Sequence, residues 1–414
     1  MKLIEKNIEW LVTISVVMIT TMVFFNSLMV TLDLGIVCGL LKYANVLILF
    51  MIFLFQNRKY GIKIYDRAFF SFYIVYCLYL LMYITILRKY PLEDMVVVPG
   101  SIFVFFVEFT ISILYLLCAK TFVTRFNVKY FIILSLIVCT IPTLFFLQAV
   151  GVEAIQDGSF GRESDEYINK LIITYSNVPI LVFAVAFYKR LFSKQMLSKI
   201  VCSCIIAVEI YILLVYGKRG PILWSIMAII SFFVIKAQSI KKYIVLGLVI
   251  LTMYMLMDPI LNVIKDTWPR SGAKLEAALK EGDTSGRLDV EDKKHSTFFI
   301  GLENFSRSPI WGYYFRLDTN YLPFRAHYAH NVFIELLMTM GLLGFVPFMS
   351  LLFKAFRKSR FVFTHRYSNN QIACFVLFLC AFLQLQTTGT CVFNYRFWLF
   401  FYVLCSFNLV TVKK

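Results

Sequence analysis

Apolar segments long enough to cross a bilayer recur along nearly the whole chain. A helix needs about 20 consecutive apolar residues to span the hydrocarbon core of a membrane. We predict twelve spans, at residues 8–31, 34–55, 69–87, 99–119, 130–150, 171–188, 200–216, 221–235, 243–260, 329–353, 371–389 and 396–411. Of the 414 residues, 60% are hydrophobic, which is more apolar surface than a water-soluble protein could hide. The sequence therefore predicts an all-α polytopic membrane protein.

The basic residues lie mainly on one side of the predicted spans. If the N-terminus is cytoplasmic, the inside segments carry 23 of the 41 Lys and Arg residues, and the short outside segments carry 8. The other 10 lie in one long outward loop, where 9 acidic residues nearly balance them. This bias follows the positive-inside rule, so both termini are expected in the cytoplasm. It also accounts for the net charge of +17, and we expect no nucleic-acid partner.

The long outward loop, residues 261–328, separates the ninth and tenth predicted spans. Two helices are predicted in it, at residues 273–280 and from about 285 to 307, and Ser308-Pro309 stops the second. Its many aromatic residues favour a structured lid over the membrane helices rather than a flexible linker. The chain thus divides into spans one to nine (1–260), the loop (261–328) and spans ten to twelve (329–414).

Several cationic side chains are predicted at the outward surface. Lys218 and Arg219 lie in "GKRGP", a tight turn between the seventh and eighth spans, where an Arg suits bidentate binding of phosphate. Arg287 opens a loop helix, whose first N–H groups add affinity for anions. Snorkelling of Arg219 and simple solvation of Arg287 are the alternatives. Arg270 and Arg325 are weaker candidates.

Carboxylates inside apolar spans are costly, and they usually face a bundle interior beside a partner. Glu108 and Glu209 are expected to have such structural partners within the bundle. Glu335 follows His330 by five residues in the tenth span. It therefore lies on roughly the same side of that helix and deeper, where it could orient a polar centre.

Two of the four His residues lie where the outward loop meets the tenth span, in "RAHYAHNVFIELLMTMGLLGF". A neutral imidazole at this surface could accept a proton from a sugar hydroxyl, while nearby guanidinium groups neutralise a phosphate leaving group. The alternative is a helix cap without chemistry, and Asn331 is expected to cap the helix in either case. We favour His330 as the base because it adjoins Asn331, with His327 as the alternative.

Four motifs in order resemble the O-antigen polymerase/ligase superfamily of the bacterial envelope. They are a Gly-x-Arg-Gly turn, a Ser-Gly-Arg at the start of a loop helix, a Ser-Pro-x-x-Gly segment and a His-Asn before an apolar run with Gly-x-x-Gly. Here they read "GKRGP" (217–221), "SGRLD" (285–289), "SPIWGY" (308–313) and "HNVFIELLMTMGLLG" (330–344). The resemblance covers roughly residues 215–350; the N-terminal half is similar only in its pattern of spans.

This resemblance implies a GT-C-type glycosyltransferase of the bacterial inner membrane, with a periplasmic active site. Donor and acceptor would be glycans linked to undecaprenyl diphosphate. The protein itself would contact the lipid bilayer and a second protein that regulates chain length. The catalytic roles would fall on His330 as base and on Arg219 and Arg287 as diphosphate ligands. Substrate contacts are expected from the other polar residues at this surface: Lys218, Arg270, Arg325, His327, Asn331 and Glu335.

The resemblance also implies that no metal or other cofactor takes part. The first outward loop agrees, because Asp33 is its only carboxylate. Two outward carboxylate groups keep a metal as an open alternative: Glu93 with Asp94, and Glu163 with Asp165 and Glu166.

The acceptor decides between two activities within the superfamily. A polymerase joins repeat units on the lipid carrier, whereas a ligase transfers the finished polymer to the lipid A-core. "GKRGP" and "TSGRLD" are more similar to polymerases, which we favour over a ligase.

A polysaccharide flippase or secondary transporter is the alternative of another class. Such proteins carry Gly- or Pro-broken spans in matching positions of both halves, whereas here the polar residues crowd one outward surface in the C-terminal half.

Overall fold

The computed structural model describes residues 2–31, 35–60, 126–157, 166–192, 195–237, 239–280, 297–312, 331–364, 369–386 and 395–406, and every element within them is helical. In chain order the helices are α1 (Lys2–Thr31), α2 (Gly35–Tyr60), α3 (Val128–Ser135), a π-helical segment (Leu136–Thr140), α4 (Ile141–Val150), α5 (Val152–Asp157), α6 (Glu166–Leu191), α7 (Met196–Tyr216), α8 (Arg219–Lys236), α9 (Ile240–Met255), α10 (Met257–Thr267), α11 (Pro269–Lys280), α12 (Thr297–Arg307), α13 (Val332–Thr364), α14 (Asn369–Gln384) and α15 (Tyr395–Ser406).

Within these ranges, three helical stretches are long and apolar enough to cross a membrane: Val128–Ala149, Met196–Tyr216 and Met340–Arg360. A fourth results if α9 and α10, which meet at a bend of 52°, form one broken span. For the described part of the chain, an all-helical fold with helices apolar enough for a membrane is therefore confirmed. The third and fourth predicted spans, 69–87 and 99–119, lie outside the described residues. The number of twelve spans and the GT-C arrangement stay predictions.

Two predicted spans are interrupted in the structure. The ninth, predicted as continuous over 243–260, ends as α9 at Met255, and α10 begins at Met257 with Pro259 in its first turn, where a missing N–H is tolerated. The tenth span, predicted over 329–353, lies in a helix that is broken at Gly341. The part of this helix that is long and apolar enough to cross a membrane is Met340–Arg360. Hydropathy measures composition, so it did not detect either break.

The first compact unit comprises Met1–Ile52, Thr121–Gly282 and Arg360–Cys380. Helix α6 is its centre, because residues 176–184 are buried on every face of that helix, as expected for a helix that is apolar all round. Phe183 is fully buried, and its ring packs on that of Phe131 in α3 at 4.7 Å between centroids. The α3–π–α4 span contains Pro142, which lacks an N–H, and the N–H of Ile141 accordingly bonds to the Leu136 carbonyl in π geometry.

The second compact unit comprises Phe53–Lys120, Asp283–Ser359 and Ala381–Lys414. Its described core is an aromatic cluster in which Phe348 of α13 packs against three rings of α15: Phe397, Trp398 and Phe401. Helix α13 is further tied to α15 by the Lys358 ammonium, which donates to the Cys405 carbonyl at 2.5 Å. The loop helix α12 packs on the first part of α13, where the buried Asn304 amide contacts the Met338 sulfur at 3.8 Å.

Candidate functional site

The predicted "GKRGP" turn is tight in the structure. Helix α7 ends at Gly217, which has a left-handed backbone (φ +55°) and donates its N–H to the carbonyls of Leu213 and Leu214. Lys218 is extended, and α8 begins at Arg219. Lys218 makes no side-chain cap, and α8 opens with the N–H groups of Arg219 and Gly220 before Pro221, which has none. N–H groups at a helix start are suited to bind an anion. The backbone at this turn is therefore suited to the phosphate role predicted for Arg219.

The loop helix α11 lies directly against this turn. A Cβ added at Gly217 would overlap the hydroxyl oxygen of the buried Ser271. A side chain at position 217 would therefore force Ser271 to shift, in addition to straining the left-handed backbone that favours glycine. Arg270 precedes Ser271 in the first turn of α11, so the backbones of two predicted cationic positions, Arg219 and Arg270, are brought together. The side chains of both Arg residues lie outside the described part.

Helices α10 and α11 form a hairpin that holds this contact in place. A Cβ at Gly272 would overlap the backbone of Lys265 in α10, and Lys265 forms an ion pair with Glu276 in α11. Trp268, between the two helices, packs edge-on against Tyr211 of α7 at 6.1 Å between ring centroids. The loop helix predicted at 273–280 thus begins earlier, at Pro269, where a Pro is favoured as the first helical residue.

Buried polar atoms lie on the helices beneath the turn. The Tyr216 hydroxyl, the Trp224 indole nitrogen and the Asn177 amide are buried, and they have no hydrogen-bond partner among the residues that the structure describes. Tyr175, on the same helix as Asn177, stacks on Trp224 at 4.9 Å between centroids. Buried polar groups normally find partners, so these groups are candidates to bind water or substrate. Sequence reasoning missed them because Tyr and Trp are common in apolar spans.

The break in α13 connects two of the four motifs. Gly341 has φ +59° and ψ −160°, outside the helical range. The N–H groups of Leu342 and Leu343, which follow it, donate to the carbonyls of Pro309 (2.8 Å) and Ile310 (3.1 Å). The "SPIWGY" segment is therefore bonded to the Gly-x-x-Gly part of the last motif. Sequence analysis used Gly341 only as part of the Gly-x-x-Gly motif and did not predict that a glycine inside this apolar run would break the helix.

The start of α13 is as predicted at Asn331. Its side-chain oxygen accepts the N–H groups of Phe333 (3.0 Å) and Ile334 (3.2 Å), so Asn331 is the helix cap. Glu335 lies in the first turns of the same helix with its side chain buried. The end of loop helix α12 at Arg307, directly before Ser308-Pro309, is also as predicted. The predicted start of that helix near Ser285 lies outside the described residues.

Four predicted site residues lie outside the described part of the chain: Arg287, Arg325, His327 and His330. The convergence of Arg219, Arg287 and His330 at one surface therefore stays a prediction. Within the described ranges, no three His, Cys, Asp or Glu side chains are grouped as a metal site would require. Glu93, Asp94, Glu163 and Asp165 lie outside those ranges, so the metal alternative stays untested.

Glu209 has a partner that the sequence did not identify. Its carboxylate accepts a hydrogen bond from the Thr140 hydroxyl at 2.5 Å, and both side chains are buried. Thr140 ends the π-helical segment, which changes the direction of its side chain relative to a regular helix. A structural partner was predicted for Glu209, and it is a hydroxyl rather than a cation. Glu108 lies outside the described residues.

Comparison with known proteins finds no matching family model and no similar curated protein.

Proposed function

We propose that this protein is a polysaccharide polymerase that joins oligosaccharide repeat units carried on undecaprenyl diphosphate. The observation that carries the proposal is the contact between two of its motifs, made by Pro309 and Ile310 with the chain after the Gly341 break. Segments that contribute to one site must meet in space although they are distant in sequence. The segment that follows α12 and the helix that follows His330 meet in this way.

The turn at Arg219 supports the proposed diphosphate site. Its backbone offers the N-terminal end of α8, and α11 brings Arg270 to the same turn through the Gly217–Ser271 contact. A helix N-terminus and guanidinium groups are both suited to bind phosphate. At the outward end of a membrane helix, such a site would hold the charged head of a lipid-linked sugar while its tail stays in the bilayer.

In the proposed reaction, a hydroxyl oxygen of the acceptor glycan attacks the anomeric carbon of the donor. A new carbon–oxygen bond forms, the bond from that carbon to the diphosphate breaks, and undecaprenyl diphosphate leaves with the bonding electrons. His330 takes the hydroxyl proton as general base. Arg219 and Arg287 neutralise the diphosphate as negative charge develops on it. Diphosphate is a good leaving group, so a base and positioned cations suffice for this step.

The test is His330→Ala in a bacterium whose surface polysaccharide depends on this protein. A polymerase variant should lose long polymer and leave lipopolysaccharide that bears a single repeat unit. Ligase loss would instead give bare core with polymer stranded on its lipid carrier. The matched control is His365→Ala, because His365 lies in a predicted inside segment and should leave polymer length unchanged. Normal-length polymer from the His330 variant would overturn the assignment of the base.

A flippase or secondary transporter is the second candidate, and two broken helices, both in the C-terminal half of the chain, are the observation that favours it. Such transporters place discontinuous helices at their substrate sites, and here α13 is broken at Gly341 while α9 and α10 meet at 52°. The two functions differ in the membrane face on which lipid-linked repeat units accumulate when the protein fails. In the His330→Ala strain an enzyme leaves single units on the outer face, whereas a flippase leaves them on the cytoplasmic face.

A further inference from the structure

We propose that the ends of α6 and α8 and the start of α9 form a binding site for an anionic phospholipid. This site lies apart from the Arg219 turn, and it does not depend on the proposed reaction. Its headgroup ligands are four basic side chains, here called the basic cluster: Lys189, Arg190, Lys236 and Lys242.

Three helix ends bring the basic cluster together within the first unit. Lys189 and Arg190 lie in the last turn of α6, and Lys236 ends α8. Lys242 lies in the first turn of α9. Helix α6 packs against α8, and α8 contacts α9, so these residues lie at the ends of neighbouring helices. Burial, and then the positive charges of Arg190, Lys189 and Lys242, lower the pKa of the Lys236 ammonium. A bound anion would stabilise this concentration of positive charge at three adjoining helix ends.

Acidic residues do not balance the basic cluster. Residues 189–199 and 236–242, the predicted inside segments next to it, contain no Asp or Glu. Among the residues that the structure describes, Lys189, Lys236 and Lys242 form no ion pair, and Arg190 donates to the neutral side-chain oxygen of Asn369 at 2.8 Å. Lys236 is half-buried beside the rings of Phe232 and Phe233, which attract a cation but carry no net charge. A negative partner from outside the chain is therefore favoured.

The apolar surface next to the cluster suits an acyl chain. None of the described side chains of α9 is buried, and Ile244, Val245 and Leu248 are each more than half exposed. These residues follow Lys242 along the helix, so the surface runs from charged to apolar in the order that a phospholipid does. A water-soluble anion would bind the basic cluster but leave the apolar surface uncovered. A zwitterionic lipid would cover the apolar surface but would not neutralise the basic cluster. Basic pockets beside membrane helices are known to recognise anionic lipid headgroups.

The experiment uses the full chain, purified in detergent and titrated with phosphatidylglycerol while native mass spectrometry counts bound lipid. The double variant Lys236→Gln/Lys242→Gln should bind it about thirtyfold more weakly, because each basic residue near an anionic lipid contributes roughly fivefold. The matched control is Lys129→Gln/Lys199→Gln, which removes the same charge from exposed positions outside the cluster. The affinity of this control variant for phosphatidylglycerol should stay within about twofold of that of the parent protein, because no contact to the lipid phosphate is lost.

Three results would overturn the proposal. The first is an equal loss of affinity in the two double variants, which would indicate a general charge effect. The second is phosphatidylcholine binding as tightly as phosphatidylglycerol. The third is displacement of the lipid by inorganic phosphate at a comparable concentration, which would assign the cluster to free phosphate. Thermal unfolding of each variant, compared with the parent, establishes that the affinities refer to folded protein.

Discussion

The backbone N–H of Leu342 donates a hydrogen bond to the carbonyl oxygen of Pro309 at 2.8 Å. This bond joins a membrane helix to the turn that follows loop helix α12. It exists because α13 breaks at Gly341, which releases the N–H groups after the break from the regular helical pattern. The position of the Pro309–Ile310 backbone therefore depends on the backbone of one glycine.

Gly341→Ala should destabilise the protein by roughly 2–4 kcal/mol, because the φ of +59° disfavours any side chain and because a Cβ would meet the Ile310 carbonyl and the Gly312 N–H. Thermal unfolding of the purified protein measures this effect. Gly247→Ala is the control, since a Cβ at Gly247 meets nothing within 4 Å. It should be neutral or stabilise α9 by up to about 1 kcal/mol. Equal effects at the two sites would contradict the observed junction.

Gly217→Ala should be destabilising for two separable reasons, the left-handed backbone and the overlap with Ser271. A double-mutant cycle with Ser271→Gly should recover roughly 1–2 kcal/mol, since the overlap is then removed. Gly151→Ala is a control for a positive φ without any overlap, because Gly151 has φ +84° and open space around it, with ψ 140° where Gly217 has ψ 34°. If Ser271→Gly recovers no stability in the Gly217→Ala background, the packing of α11 on the turn is not as described.

Asn331 has both a capping role and a predicted substrate role, and two substitutions separate them. Asn331→Ala removes the acceptor for two backbone N–H groups and should cost about 1–2 kcal/mol. Asn331→Asp keeps that acceptor, so the unfolding midpoint should stay close to that of the parent. Polymer length measured for the same Asp variant reports on the substrate role. A midpoint for Asp as low as that for Ala would show that the lost stability does not come from the side-chain oxygen acceptor, and an unchanged midpoint for Ala would show that the cap contributes little.

Thr140→Val should cost roughly 1–3 kcal/mol, because it leaves the buried Glu209 carboxyl without its described hydrogen-bond donor. Thr143→Val is the matched control, since the Thr143 hydroxyl donates only to the Cys139 carbonyl of its own span, at 2.7 Å. Thr143→Val should lower the free energy of unfolding less than Thr140→Val does, by about 1 kcal/mol or more, because it leaves no carboxyl group without a hydrogen-bond donor. Chemical unfolding of both variants in one detergent gives the comparison.

The sequence by itself determined the features that depend on nearby residues. Alternation of long apolar and short polar segments predicted membrane helices, because a bilayer requires that composition in any helix that crosses it. Gly217 indicated a tight turn, because glycine readily adopts a left-handed backbone. Asn331 indicated a helix cap, because its short side chain can accept backbone N–H groups. Pro309 indicated the end of α12, because proline cannot continue a helix. Each of these signals acts within about one helical turn.

Tertiary structure decided the features that need a distant partner. The break at Gly341 is stable because the Pro309 and Ile310 carbonyls satisfy the N–H groups it releases, and hydropathy carries no information about such acceptors. Ser271 against Gly217 and Thr140 against Glu209 are likewise pairs that are distant along the chain. A buried polar group requires a partner, but its type does not specify which residue the fold will bring to it.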